Sequence, residues 1–241
     1  MKTILAVLLL GAFTLSISHA VVRAPQETKP PRLVQNLFQF PLSISTQGID
    51  EGFAELHFIV DEKGQASEFI VVEATNEAFV RAALTGLQRS RFAPAEVNGS
   101  PQAVRSLMRL HFRETGVRSY SGYDWIKHPM PHMPRLIKPV FKLCQLNELD
   151  EIPQLITEPE KVFPVDEENR LLSGSVRMEY YIDRNGQTRL ALPLESAHPA
   201  LIEAAIRSIA GMRYEVPRKG GTPMPVRVQQ IFSFRETDNE S

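Results

Sequence analysis

Apolar and polar residues alternate along Ala54, Leu56, Phe58 and Val60, and again along Val176, Met178, Tyr180 and Ile182. A period of two marks strands with one buried face. Each run ends at a turn, Asp61-Glu62-Lys63-Gly64 or Asp183-Arg184-Asn185-Gly186, where glycine supplies the positive φ of a hairpin. A second strand is predicted over Ala66–Glu73, with a weaker counterpart over Thr188–Glu195 that Pro193 interrupts. The period then becomes helical: Phe79, Ala83 and Leu87 share a face, as do Leu201, Ala205 and Ile209. Beyond turns at Gly99 and Gly221, alternation returns along Val104, Met108, Leu110 and Phe112, and along Val226, Val228, Phe232 and Phe234. The order strand–strand–helix–strand predicts an α+β fold, a small antiparallel sheet with a helix on one face.

That order occurs twice because the sequence repeats. Shifted by 122 positions, Gly52–Thr115 aligns without a gap on Gly174–Thr237, and 17 of the 64 positions are identical. The identities include the turn residues Asp61/Asp183 and Gly64/Gly186, and the strand pairs Val104/Val226 and Arg105/Arg227. With one residue of slack, Phe40-Pro41 also matches Phe163-Pro164. A domain-sized period predicts a tandem pair and not a solenoid. The expected units are 29–115 and 151–238, followed by a short tail at 239–241. Between them, 116–150 is a connector with Tyr120, Tyr123, Trp125 and four prolines, too aromatic for a wholly disordered linker.

The first residues read as an address. Met1-Lys2 is a positive start, Thr3–Ile17 is apolar, and Ser18-His19-Ala20 places small residues at a cleavage site. Residues 1–20 are therefore expected to be a signal peptide, with a short linker at 21–28, although Thr3–Val22 is also long enough to span a membrane. Composition adds exclusions. With 27 basic against 28 acidic residues, the chain lacks the basic excess of nucleic-acid binders. Its single cysteine, Cys144, rules out a disulfide framework and a cysteine-built zinc site.

The motifs "FIVDEKGQ" (58–65), "RAALTGLQRSRFAPAEVNGSP" (81–101) and "LMRLHF" (107–112), after an early Phe-Pro, resemble the C-terminal domain of the TonB family. The second copy resembles it through "YYIDRNGQ" (180–187), "IEAAIRSIAGMRYEVPRKGGTP" (202–223) and "IFSF" (231–234), with Tyr214 in place of the phenylalanine after the helix. The resemblance implies a non-enzymatic protein-interaction module in the periplasm of a Gram-negative bacterium. In the family's transporter-energising members, the last strand's free edge pairs with an extended segment of an outer-membrane receptor. By position, the edges here are Ala103–Arg113 and Pro225–Arg235, with Arg105, Leu107, Arg109, Arg227, Gln229 and Ile231 expected to face outward. The edges are expected either to stay open for a partner or to be covered, by each other, by a second copy or by the connector.

A membrane-anchored energy transducer for outer-membrane transport is the alternative. Against it, Arg23–Arg32 would reach only ~30 Å as extended polyproline, too short for a periplasm-spanning rod. No nucleophile–base pair or phosphate loop occurs, no small-molecule substrate is evident, and no cofactor is expected. One soft-ligand cluster, His128, Met130, His132 and Met133, suits copper chemically, but it also reads as an ordinary Pro-rich linker.

Overall fold

The computed structural model describes residues 28–121, 138–157, 162–195 and 197–235. The expected leader, the tail and the His128–Met133 cluster lie outside these residues. The first half holds β1 (Thr28–Lys29), β2 (Arg32–Gln35), β3 (Glu51–Val60), β4 (Ala66–Ala74), α1 (Glu77–Arg89), β5 (Arg91–Ala93), β6 (Ala95–Val97), β7 (Ser100–Gln102), β8 (Val104–Arg113) and β9 (Gly116–Ser121). Two short strands follow, β10 (Phe141–Lys142) and β11 (Cys144–Gln145). The second half holds β12 (Leu155–Thr157), β13 (Gly174–Ile182), β14 (Thr188–Pro193), α2 (Pro199–Gly211), β15 (Arg213–Tyr214), β16 (Arg218–Lys219), β17 (Thr222–Pro223) and β18 (Val226–Phe234). The main sheets run β10-β4-β3-β8-β9 and β11-β18-β13-β14, and β2-β5 and β12-β15 form small ribbons beside them.

The same local chemistry builds both halves. Asp61 Oδ1 accepts from the N–H groups of Lys63 and Gln65 at 2.9 and 2.8 Å, and Asp183 Oδ1 accepts from those of Asn185 and Gln187 at 2.8 and 3.0 Å. The turn glycines sit at φ 75° and 78°, and a Cβ on either would lie 1.9–2.0 Å from the carbonyl oxygen of Phe92 or Tyr214. Glycine is thus required by conformation and by space. Asn76 caps α1 by accepting from the Ala78 N–H at 2.8 Å. His198 caps α2 by accepting from the Ala200 N–H at 3.3 Å, and Pro199 opens that helix.

Each helix covers one sheet face. Leu56, Phe58, Phe79, Leu87, Leu110 and Phe112 are buried in the first core, where the Phe79 and Phe112 rings lie 5.0 Å apart. Met178, Tyr180, Ile182, Ile209, Val226 and Phe232 are buried in the second. Full burial of one such side chain contributes about 1.5–3 kcal/mol. β14 ends at Pro193, short of the expected Glu195. Proline is tolerated there because β14 is an edge strand, with no neighbour needing the missing N–H.

The helix-free faces of the two sheets meet. Ile70, Val72, Tyr181 and Leu190 are buried together, flanked by Ile59 and Leu143. The segment after residue 138 stitches the sheets: Val140 N–H donates to Ala74 O at 2.7 Å and Cys144 N–H to Pro225 O at 2.9 Å. Between them, Phe141 inserts its ring into the first core.

Candidate strand-edge interface

β8 and β18 occupy the same place in their sheets, each hydrogen-bonded on one side to the first long strand of its half. β8 pairs with β3 from Val104 to Arg113, and β18 with β13 from Val226 to Phe234. Their other sides are capped differently. β9 folds back on β8 in a tight hairpin and pairs with Met108–Arg113, and among the described residues no strand pairs with this side of Val104–Leu107. On β18, the parallel strand β11 covers Val226–Arg227, and among the described residues no strand pairs with this side of Val228–Phe234.

Alternation along a strand fixes which backbone groups these stretches offer. Pro225 O faces β11, as its bond from Cys144 shows, so the N–H and C=O of Arg227, Gln229, Ile231 and Ser233 face the same way. In the first half the equivalent groups belong to Arg105, Leu107, Arg109 and His111. Those of Arg109 and His111 fall within the stretch paired with β9, opposite Tyr120 and Arg118. Among the described residues, the edge groups of Arg105 and Leu107 in one half, and of Gln229 and Ile231 in the other, therefore have no strand partner.

The side chains at these positions lie on the helix-free face, and most are engaged. Arg105 Nη1 donates to Glu179 Oε1 at 2.7 Å and to the Tyr181 hydroxyl at 3.3 Å. Gln229 Nε2 donates to the other Glu179 oxygen at 3.2 Å, and Arg227 stands 3.9 Å from that oxygen. Arg105 and Arg227, equivalent under the repeat, thus share one buried carboxylate. Burial pushes the Glu179 carboxyl up, but hydrogen bonds from Arg105 and Gln229 and the charges of both arginines leave it below its ordinary value. Ile231 is 55% exposed, an apolar side chain beside the open stretch of β18.

Arg109 does not face outward as expected. Its guanidinium lies 2.6 Å from Glu55 and 2.7 Å from Glu73, with the three side chains 13–15% exposed, and stands 4.4 Å from the Phe53 ring centre. Burial pushes Glu55 up, but hydrogen bonds and charge from His57 and Arg109 leave it lowered. For Glu73 burial prevails over the attraction of Arg109 and Lys142, and its carboxyl is raised. Beside them His111 is pushed down to about 4 by burial and by the charges of Arg109 and Arg113. The register that pairs Glu55 with both Glu73 and Arg109 was the signal for this triad. Under the repeat, Glu55 becomes Arg177 and Arg109 becomes Ile231, so the second half lacks it.

Residues 39–113 match the family model described as the Gram-negative bacterial TonB protein C-terminal. That stretch is similar to the C-terminal domain of TonB. The match begins before β3 and ends with β8, so the TonB-like stretch includes the partly open edge strand, while β9 and everything from β10 onward lie outside it. No curated protein and no solved structure matches the chain. Among the described residues, no helix is long and apolar enough to cross a membrane.

Proposed function

We propose that the chain is a non-enzymatic interaction protein of the Gram-negative periplasm, built from two TonB C-terminal-like domains at 29–115 and 151–238. Each domain takes an extended partner segment on the uncovered part of its last strand. Backbone groups supply the affinity and neighbouring side chains the selectivity. The observation that carries this reading is the stretch Val228–Phe234, which contains exposed Ile231 and has no strand on its outer side among the described residues. Exposed strand edges are ordinarily blunted, and this one carries neither a bulge nor a proline in the uncovered stretch.

A photo-crosslinking residue placed at Gln229 or Leu107 in cells tests the proposal. Both sites should capture a protein partner that the same residue at Arg207, exposed on α2, does not. Ile231→Pro removes an edge-facing N–H without touching the β13 ladder. It should abolish capture at Gln229 while the circular dichroism spectrum stays unchanged. Capture that survives in a folded Ile231→Pro protein refutes edge pairing.

A further inference from the structure

The two halves place different charges at the same positions of their helix-free faces. In the first sheet Arg109 stands on β8, Glu55 on β3 beside it and Glu73 on β4 beyond, and the guanidinium reaches past the near carboxylate to the far one at 2.7 Å. An arginine on this face therefore spans two strand spacings, about 10 Å. Shifted by 122 positions, the order is inverted: Glu55 becomes Arg177 on β13, and Arg109 becomes Ile231 on β18. Arg177 and Ile231 are opposite each other in register, so their side chains share the helix-free face. Arg177 is exposed, and among the described residues it has no ion pair and no side-chain hydrogen bond. Glu195, equivalent to Glu73, is exposed as well and makes no ion pair with it.

A segment paired on the outer side of β18 would complete this half as Glu73 completes the other. Seen from Arg177, Ile231 is the near neighbour and the incoming strand is the second, the distance that Arg109 already bridges. The N–H and C=O of Ile231 face outward, so a partner residue opposite it turns its side chain to the same face as Arg177. The surrounding charge favours a carboxylate there. Arg227 lies on that face, and its buried acid, Glu179, is already held by Arg105 and Gln229. A second copy of the chain does not supply the carboxylate, because neither Val104–Arg113 nor Val226–Phe234 contains an acidic residue.

We infer that the β18 edge selects a partner segment with an aspartate or glutamate opposite Ile231, and that Arg177 is the residue that selects it. The inference rests on the strand-pairing proposal and adds the chemistry of the second site's partner. The preference belongs to that edge alone: in the first half Arg109 is closed on two glutamates, and Glu55 stands where Arg177 would.

The probes are three fluorescein-labelled peptides, Ser-Thr-Val-Thr-X-Thr-Val-Thr-Ser with X glutamate, glutamine or lysine, titrated into the full chain and read by anisotropy. The glutamate peptide should bind about fivefold more tightly than the glutamine one, and the lysine peptide most weakly. The margin should shrink in about 0.5 M salt. Arg177→Gln, with an unchanged circular dichroism spectrum, should make the glutamate and glutamine peptides equal, and Arg177→Glu should favour lysine. Ile231→Pro should weaken all three. Equal binding of the glutamate and glutamine peptides to the unaltered chain overturns the inference, as does a preference that survives Arg177→Gln. If Ile231→Pro still abolishes binding in either case, strand pairing stands and only the selectivity falls. Failure of the glutamate peptide to bind overturns the inference too, and capture at Gln229 then decides strand pairing separately. Binding that appears only after Asp238→Asn and Glu240→Gln also overturns it, by making the chain's own acidic tail the occupant.

Discussion

Arg109→Met offers the sharpest test of the charge network on the helix-free face of the first sheet. The substitution keeps the length and apolar stem of the side chain but removes the guanidinium bonded to both Glu55 and Glu73. Two carboxylates about 15% exposed then face each other across the sheet without it. Breaking a buried pair from one side costs about 3–5 kcal/mol, and the lost contact with the Phe53 ring adds up to about 1–2 kcal/mol. Acid should erase most of this cost. Glu55 is held below its ordinary 4.5, so its contribution is present above that value and disappears as pH falls through the lowered one. The variant has no such contribution to lose, and protonation relieves its carboxylate repulsion. Urea unfolding followed by circular dichroism should therefore show a gap of several kcal/mol at pH 7 that narrows below about pH 4. In the same variant the His111 pKa, followed by NMR, should rise from about 4, since a cation that depresses it has gone. A loss below about 1 kcal/mol at pH 7, or one equally large in acid, would refute a paired triad.

Two further predictions concern the joint between the sheets and the hairpin turns. Glu179→Gln removes the charge shared by Arg105 and Arg227 and should cost about 1.5–3 kcal/mol. Amide exchange should accelerate at Ile70, Val72 and Leu190 while the two helix-covered cores keep their protection; unchanged exchange at those amides sinks the idea. Gly64→Ala and Gly186→Ala should each cost more than about 2 kcal/mol, because the added Cβ meets a carbonyl oxygen as well as an unfavourable φ. Gly99→Ala, at φ 80° with open space around it, should cost only about 1 kcal/mol. Equal melting-temperature losses at all three would count against the clash.

What could be read from the sequence was what local periodicity encodes. Alternation located β3, β8, β13 and β18 because each strand faces a helix on one side, and the helices begin at Glu77 and Pro199, one repeat apart. The TonB-like pattern of residues 39–113 could be recognised for the same reason, since its motifs sit on β3, α1, β8 and the turns between them. The caps on the edges left no such trace. Gly116-Val-Arg-Ser-Tyr-Ser121 lacks a clean alternation, and β10 and β11 are two residues each, too short for any period. Their pairing is decided by partners far along the chain. Arg109 was misread for a related reason: an arginine in a strand looks solvent-facing unless the residues across the sheet are known, and here Glu55 stands on the next strand and Glu73 on the one beyond it.

The caps carry more of the difference between the two edges than the strands do. β8 and β18 begin with the same Val-Arg pair and run to equivalent phenylalanines, Phe112 and Phe234, and both hold to a helix-covered strand in unbroken register. β9 runs antiparallel and covers the far end of its strand, whereas β11 runs parallel and covers the near end. What remains among the described residues is a short unpaired edge in one half and a longer one carrying an exposed isoleucine in the other. On the strand-pairing proposal, the first edge then takes a shorter segment than the second, whose partner lies along Ile231. Arg105 and Arg227 meet on Glu179, so the face that joins the sheets also holds the near ends of both edges in fixed orientation. A partner carrying two segments would meet both sites already spaced, and linking two modest contacts raises the overall affinity without any new one.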